Sequence, residues 1–91
     1  MAKSPEALYA EVKQKSKGCT LAKIEKLLQA WRFRKRKERG NTQVWAYRHI
    51  TLTLHRPHKQ FLPVGAVSQV LACIDEARLL IEAEYGNGPI N

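Results

Sequence analysis

The sequence predicts an α+β domain, with two main helices packed on one face of a three-stranded antiparallel sheet. Three observations predict it. Leu21, Ile24, Leu27, Leu28 and Trp31 recur at helical spacing. Ile50 to Arg56 alternates apolar and polar residues with a period of two. A second helical stripe, through Val67, Val70, Leu71, Ile74, Ala77 and Ile81, follows a proline-bracketed loop. At 91 residues, 44% of them apolar and 26% charged, the chain forms one domain over 1–91 with a single modest core.

The elements follow in order. Ser4-Pro5-Glu6 starts a helix: a serine N-cap, proline at the first helical position and an acid in the first turn. It spans 4–17, buries Leu8 and Val12, and stops at Gly18. So thin a stripe must dock on something to persist, which makes this helix an accessory to a core over 19–85. Thr20 caps the next helix, which ends near Trp31 without a glycine to mark the stop. Arg32 to Arg39 holds six basic residues in eight and a single apolar anchor, Phe33, as an edge strand does. Gly40-Asn41 makes a tight hairpin into Gln43–Arg48. The next strand runs from Ile50 to Arg56, with Ile50, Leu52 and Leu54 facing one way and Thr51, Thr53 and His55 the other. Between these two strands, Arg48-His49 offers no glycine or asparagine. The last helix runs from about Gly65 to Tyr85, with the Arg78 stem at its margin, and 86–91 form a tail. Without the first helix the order is α-β-β-β-α, that of double-stranded-RNA-binding domains.

Charge divides the chain. Residues 1–59 carry 15 Lys/Arg against four Asp/Glu, a net +11; residues 60–91 carry one against four, a net −3. Such asymmetry points to a polyanion-binding face, nucleic acid first, over the plainer reading of a solvated surface. Arg32, Arg34, Lys35, Arg36, Lys37 and Arg39, with Arg48, Arg56 and Lys59, are the candidates to track phosphates. Several classes are excluded or disfavoured. No apolar run approaches 18 residues and no apolar core of a signal peptide opens the chain, so a cytoplasmic location without membrane attachment is expected. Cys19 and Cys73 are too few for a disulfide framework. No glycine loop for nucleotide phosphates and no cofactor motif occurs, so neither a cofactor nor a small-molecule substrate is expected. No thiol or carboxylate close in sequence completes a His55–His58 metal site, and the sparse carboxylates argue against a two-metal nuclease.

The stretch with the KIEKLLQAW stripe, the arginine-rich strand and the Gly40 hairpin carrying Trp45 and Tyr47 resembles the HicA (YcfA-like) toxin family. ITLTLHRPHKQFLPVGAV, followed by SQVLACIDEARLL, is similar to the strand, His/Arg-Pro-His loop and helix that end that family's domain. The likeness covers roughly residues 7–82. It implies a double-stranded-RNA-binding-like fold, metal-independent cleavage of messenger RNA, and a HicB antitoxin partner that holds the toxin inactive. The family typically follows its hairpin glycine with serine and one or two histidines, which carry catalysis. Here Asn41, Thr42 and Gln43 stand in those positions, and none titrates near neutral pH.

Metal-free RNA cleavage needs a base for the 2′-hydroxyl proton, an acid for the leaving oxygen, and cations for the phosphate charge. Strand parity makes His55 the first candidate, on the open face beside Arg56. His49, in or near the turn, is its candidate partner, and His58 lies in the loop. Each has a plainer reading as a solvated or capping histidine. Trp45 and Tyr47 share a strand face, where they either stack on unpaired bases or pack in the core. The leading expectation is a HicA-like RNA endonuclease with its histidine relocated to His55 or His49. An RNA-binding derivative without catalysis is the alternative, and a small basic DNA-associated protein a weaker one.

Overall fold

The computed structural model describes residues 3–86. Of three α-helices, α1 (Pro5–Gln14), α2 (Leu21–Ala30) and α3 (Val64–Ile81), the last two share a core with one face of an antiparallel sheet and α1 packs on those two helices. The sheet runs in the order β1 (Arg34–Arg39), β2 (Thr42–Tyr47), β3 (Ile50–His55), so each strand is joined to its neighbour by a hairpin. Ile50, Leu52 and Leu54 are buried beneath the helices while Thr51, Thr53 and His55 are exposed, as the alternation predicts. Among the described residues no helix covers the other face of the sheet. No helix among the described residues is long and apolar enough to cross a membrane.

The first helix forms where the sequence places it, and it ends sooner. The Ser4 hydroxyl accepts from the Ala7 amide at 3.1 Å, and α1 stops at Gln14, before a 3₁₀ turn over Ser16–Gly18. Leu8 and Val12 are buried against α2 and α3, and Trp31 Nε1 donates to the Pro5 carbonyl at 3.0 Å. Arg78 lies over both the Tyr9 and Trp31 rings, 4.8 and 5.0 Å from their centroids, and the Tyr9 hydroxyl donates to Asp75 at 2.6 Å. These contacts dock a helix too thin in apolar residues to hold by itself. At the other end, α3 starts one residue early at Val64. It gives way after Ile81 to a π-type turn over Glu82–Gly86 instead of continuing as regular helix to Tyr85. Residues 87–91 of the expected tail lie outside the described residues.

The stop of α2 explains the missing glycine. The Phe33 amide donates to the Leu28 carbonyl at 2.9 Å and the Arg32 amide to Gln29 at 3.1 Å. Buried Phe33 and Leu28 accompany these paired bonds in a Schellman motif, which closes the orphan carbonyls of a helix end. The motif needs a left-handed residue, and Arg32 supplies it at φ 74. The β2–β3 turn solves the same problem in the same way. Tyr47 pairs with Ile50, which leaves a two-residue loop, and Arg48 takes φ 54 at its first position. Gly40 does so without strain in the β1–β2 turn, at φ 58. An L side chain in that region costs about 1–2 kcal/mol, so two arginines are held at a conformational expense glycine would avoid.

Candidate nucleic-acid interface

Register decides which cations reach the uncovered face. Directly paired residues share a side of the sheet, and three rows of exposed character result: Arg34–Ala46–Thr51, Lys37–Val44–Thr53 and Arg39–Thr42–His55. The register shifts between Lys35 and Lys37, leaving Arg36 as the extra residue of a β-bulge, where it lines a shallow hollow with Arg34 and Ala46. The face therefore presents Arg34, Arg36, Lys37 and Arg39 along the edge strand, with the hydroxyls of Thr42, Thr51 and Thr53 beside them. None of these four cations makes an ion pair among the described residues.

The other basic candidates stand elsewhere. Lys35 has the parity of Trp45, on the helix side, where its ammonium lies 3.1 Å from Glu38 and 3.9 Å from Glu25. Arg56 lies 3.6 Å from the same Glu38 rather than on the open face beside His55. Arg48 pairs with Glu84 at the β2–β3 turn. Arg32 belongs to the stop of α2, and Lys59 is exposed in the loop after β3. Trp45 is 1% exposed and Tyr47 half-buried on the helix side, so Trp45 packs in the core and Tyr47 packs against it.

Of the histidines, His55 sits on the open face. Its Nδ1 is 3.3 Å from the Thr42 hydroxyl directly across the strand pair. His49 lies at the far end of β3, about 20 Å away at the rise of an extended strand, with Nε2 3.9 Å from a Glu76 oxygen. That separation prevents His49 and His55 from serving one phosphate as an acid–base pair. His58 is exposed in the loop.

One polar constellation escaped the sequence reading. Gln43 is 2% exposed, and its amide is fully used. Its Oε1 accepts from Trp45 Nε1 at 3.0 Å, and its Nε2 donates to Glu25 at 2.7 Å and Glu38 at 3.3 Å. Lys35 and Gln43, in that order, hold the Glu38 carboxyl below its ordinary value of 4.5. The network ties the β1–β2 hairpin to α2, and no buried side-chain polar atom is left unpaired among the described residues. Parity could have found it: residue 43 lies two before Trp45, so a core-facing Trp45 puts Gln43 in the core as well. Among the described residues no cluster of His, Cys, Asp or Glu is arranged to hold a metal ion.

Compared with protein-family models, with curated proteins and with solved structures, the chain finds no match in any of the three.

Proposed function

We propose that the chain is a HicA-like toxin of double-stranded-RNA-binding type whose open sheet face grips the ribose-phosphate backbone of messenger RNA, with His55 as the proton-transfer group of a metal-independent endonuclease. The uncovered row of Arg34, Arg36, Lys37 and Arg39, beside threonine hydroxyls and without counter-ions among the described residues, is the observation that carries this reading. Arginine suits phosphate, and hydroxyls suit the 2′-OH. With Trp45 and Tyr47 turned inward, the face offers no large aromatic platform for bases, which favours backbone recognition over reading of unpaired bases.

The place of His55 supports the catalytic half. Thr42 occupies one of the positions where the resemblance puts the family's histidine, and the β2–β3 register sets His55 directly opposite it. An imidazole thus stands one strand over, in the same row as Arg39 but with Thr42 between them, and oriented by the Thr42 hydroxyl as a base is oriented by a third group. A second reading, an RNA binder without cleavage, has a specific observation in its favour: His55 is the one histidine that the strand register sets on the open face at this end, while His58 is exposed in the loop beyond it, so the face itself carries no second proton-transfer group. A HicB-like antitoxin with an acidic surface would occupy the same four cations and so mask the face.

One experiment separates the two readings. Purified protein is mixed with end-labelled RNA in the presence of a chelator, and both gel shift and cleavage are followed. Cleavage that vanishes in His55→Ala while the shift persists supports the endonuclease. A shift without cleavage ends leaves the binder, and duplex DNA bound as tightly as RNA removes the RNA reading altogether.

A further inference from the structure

The end of the sheet remote from His55 holds a second concentration of charge. Where β1 begins and β2 ends, Arg32, Arg34, Arg36 and Arg48 line one shallow hollow of about 600 Å³, with Tyr47 in its wall. Two of these arginines, Arg32 and Arg48, are the residues other than glycine that take left-handed backbones among the described residues. A helix stop and a tight hairpin both favour glycine or asparagine there. Keeping an arginine at each, against local preference, motivates a functional reading, because strain of this kind collects at ligand sites. A third feature concerns the ligand itself. Glu84 accepts from the Arg48 guanidinium and, at 3.3 Å, from the Tyr47 hydroxyl, so an oxyanion of the chain already rests on two of the lining groups.

We propose that this hollow seats the terminal phosphate of an RNA strand, the sheet face then holding the diester backbone that leads away from it. The inference rests on the RNA-binding reading and deepens it. A phosphate monoester carries about −1.5 to −2 charges at pH 7 and three acceptor oxygens, where a diester carries one charge. Four guanidiniums from separate backbone positions, with the Glu84 carboxylate against Arg48, match the more highly charged group, and their planar forks bind phosphate oxygens in pairs. The smaller hollow at Lys37 and Arg39, about 400 Å³, has two cations and the Glu38 carboxylate in its lining, which divides the labour between end and backbone.

The test uses the full chain and one RNA oligonucleotide in two forms, with phosphates at both ends or hydroxyls at both ends, followed by fluorescence anisotropy at one salt concentration. The phosphorylated form should bind about tenfold tighter. That preference should disappear in Arg32→Asn/Arg48→Asn and widen in Glu84→Gln. Asparagine tolerates the left-handed backbone, so thermal melting of the double variant should match the parent. Arg36→Gln, at the exposed bulge, gives the same readout without touching either turn. Equal affinity for the two forms, or a preference that survives the double variant, overturns the proposal while backbone binding stands. If neither form binds, the RNA reading falls and takes this inference with it.

Discussion

If the open face grips RNA as proposed, salt dependence counts the cations that meet phosphate, and the register of β1 fixes what the count should be. Each phosphate neutralised on a single strand contributes about −0.7 to the slope of log affinity against log salt, and about −0.9 on a duplex. Four open-face cations, Arg34, Arg36, Lys37 and Arg39, predict a slope of about −2.8 to −3.6. Affinity should then fall about 50- to 150-fold between 50 and 200 mM salt. If all nine basic residues that the sequence singles out met phosphates, the slope would be about −6.3 on a single strand and the loss several thousandfold. Lys37→Gln should bring the single-strand slope to about −2.1. Lys35→Gln, two positions away but turned to the helix side and held by Glu38 and Glu25, should leave it unchanged. Anisotropy titrations of one RNA at four salt concentrations make the comparison. A parent slope shallower than −1, or equal effects of Lys35→Gln and Lys37→Gln, would refute the assignment of the face.

Other substitutions test the interior and the chemistry. Gln43→Leu keeps the volume but leaves the buried Trp45 N–H without its acceptor and sets Glu25 and Glu38 near each other without the shared donor. A cost of about 2 kcal/mol is expected, a fall of roughly 8–16 °C in melting temperature for a domain this small. Glu38 and Glu11 are both held below 4.5, Glu38 by Lys35 and then Gln43, Glu11 by Lys3 and then Lys23. A carboxyl lowered on folding contributes stability that is present above its unfolded value and lost as pH falls through the folded one. Melting temperature should therefore drop as pH is taken below 4.5, and less steeply in Glu38→Gln. Thr42→His places a second imidazole across from His55 on the open face, and cleavage should rise by about 10²-fold or more if a missing acid limits the reaction. Gln43→His should lower the melting temperature instead, since that position faces the core.

Much of the architecture was legible because burial has a period. The stripe of α2 and the alternation of β3 each match one backbone geometry, and both are buried as read except for Leu21, which is half-buried at the start of α2. The turns were less legible for a definite reason. Glycine announces a left-handed residue, but Arg32 and Arg48 adopt that backbone without announcing it, so the α2 stop and the β2–β3 hairpin carry no local signal. The candidate site divided along the same line. His55 could be assigned to the open face by counting along β3, whereas β1 has too few apolar residues to reveal its parity, and its bulge at Arg36 breaks the count midway. Six basic residues in eight look equivalent in sequence; the pairing of β1 with β2 makes them unequal.

That inequality also explains how so basic a segment belongs to a stable domain. A strand of like charges repels itself unless its field is divided. Here the helix-side members are absorbed: Lys35 by Glu38 and Glu25, Arg56 by Glu38, with Gln43 donating to both carboxylates from the core. Glu38, the single acid within the run, has the parity of Gln43 and so lies on the side where it serves this purpose. Placed one residue earlier or later, it would have fallen on the open face and neutralised the row it leaves bare. The same alternation that buries Trp45 thus sorts the charges, putting compensated cations against the helices and uncompensated ones toward solvent. On the proposed reading, RNA supplies the counter-charge that this face lacks among the described residues.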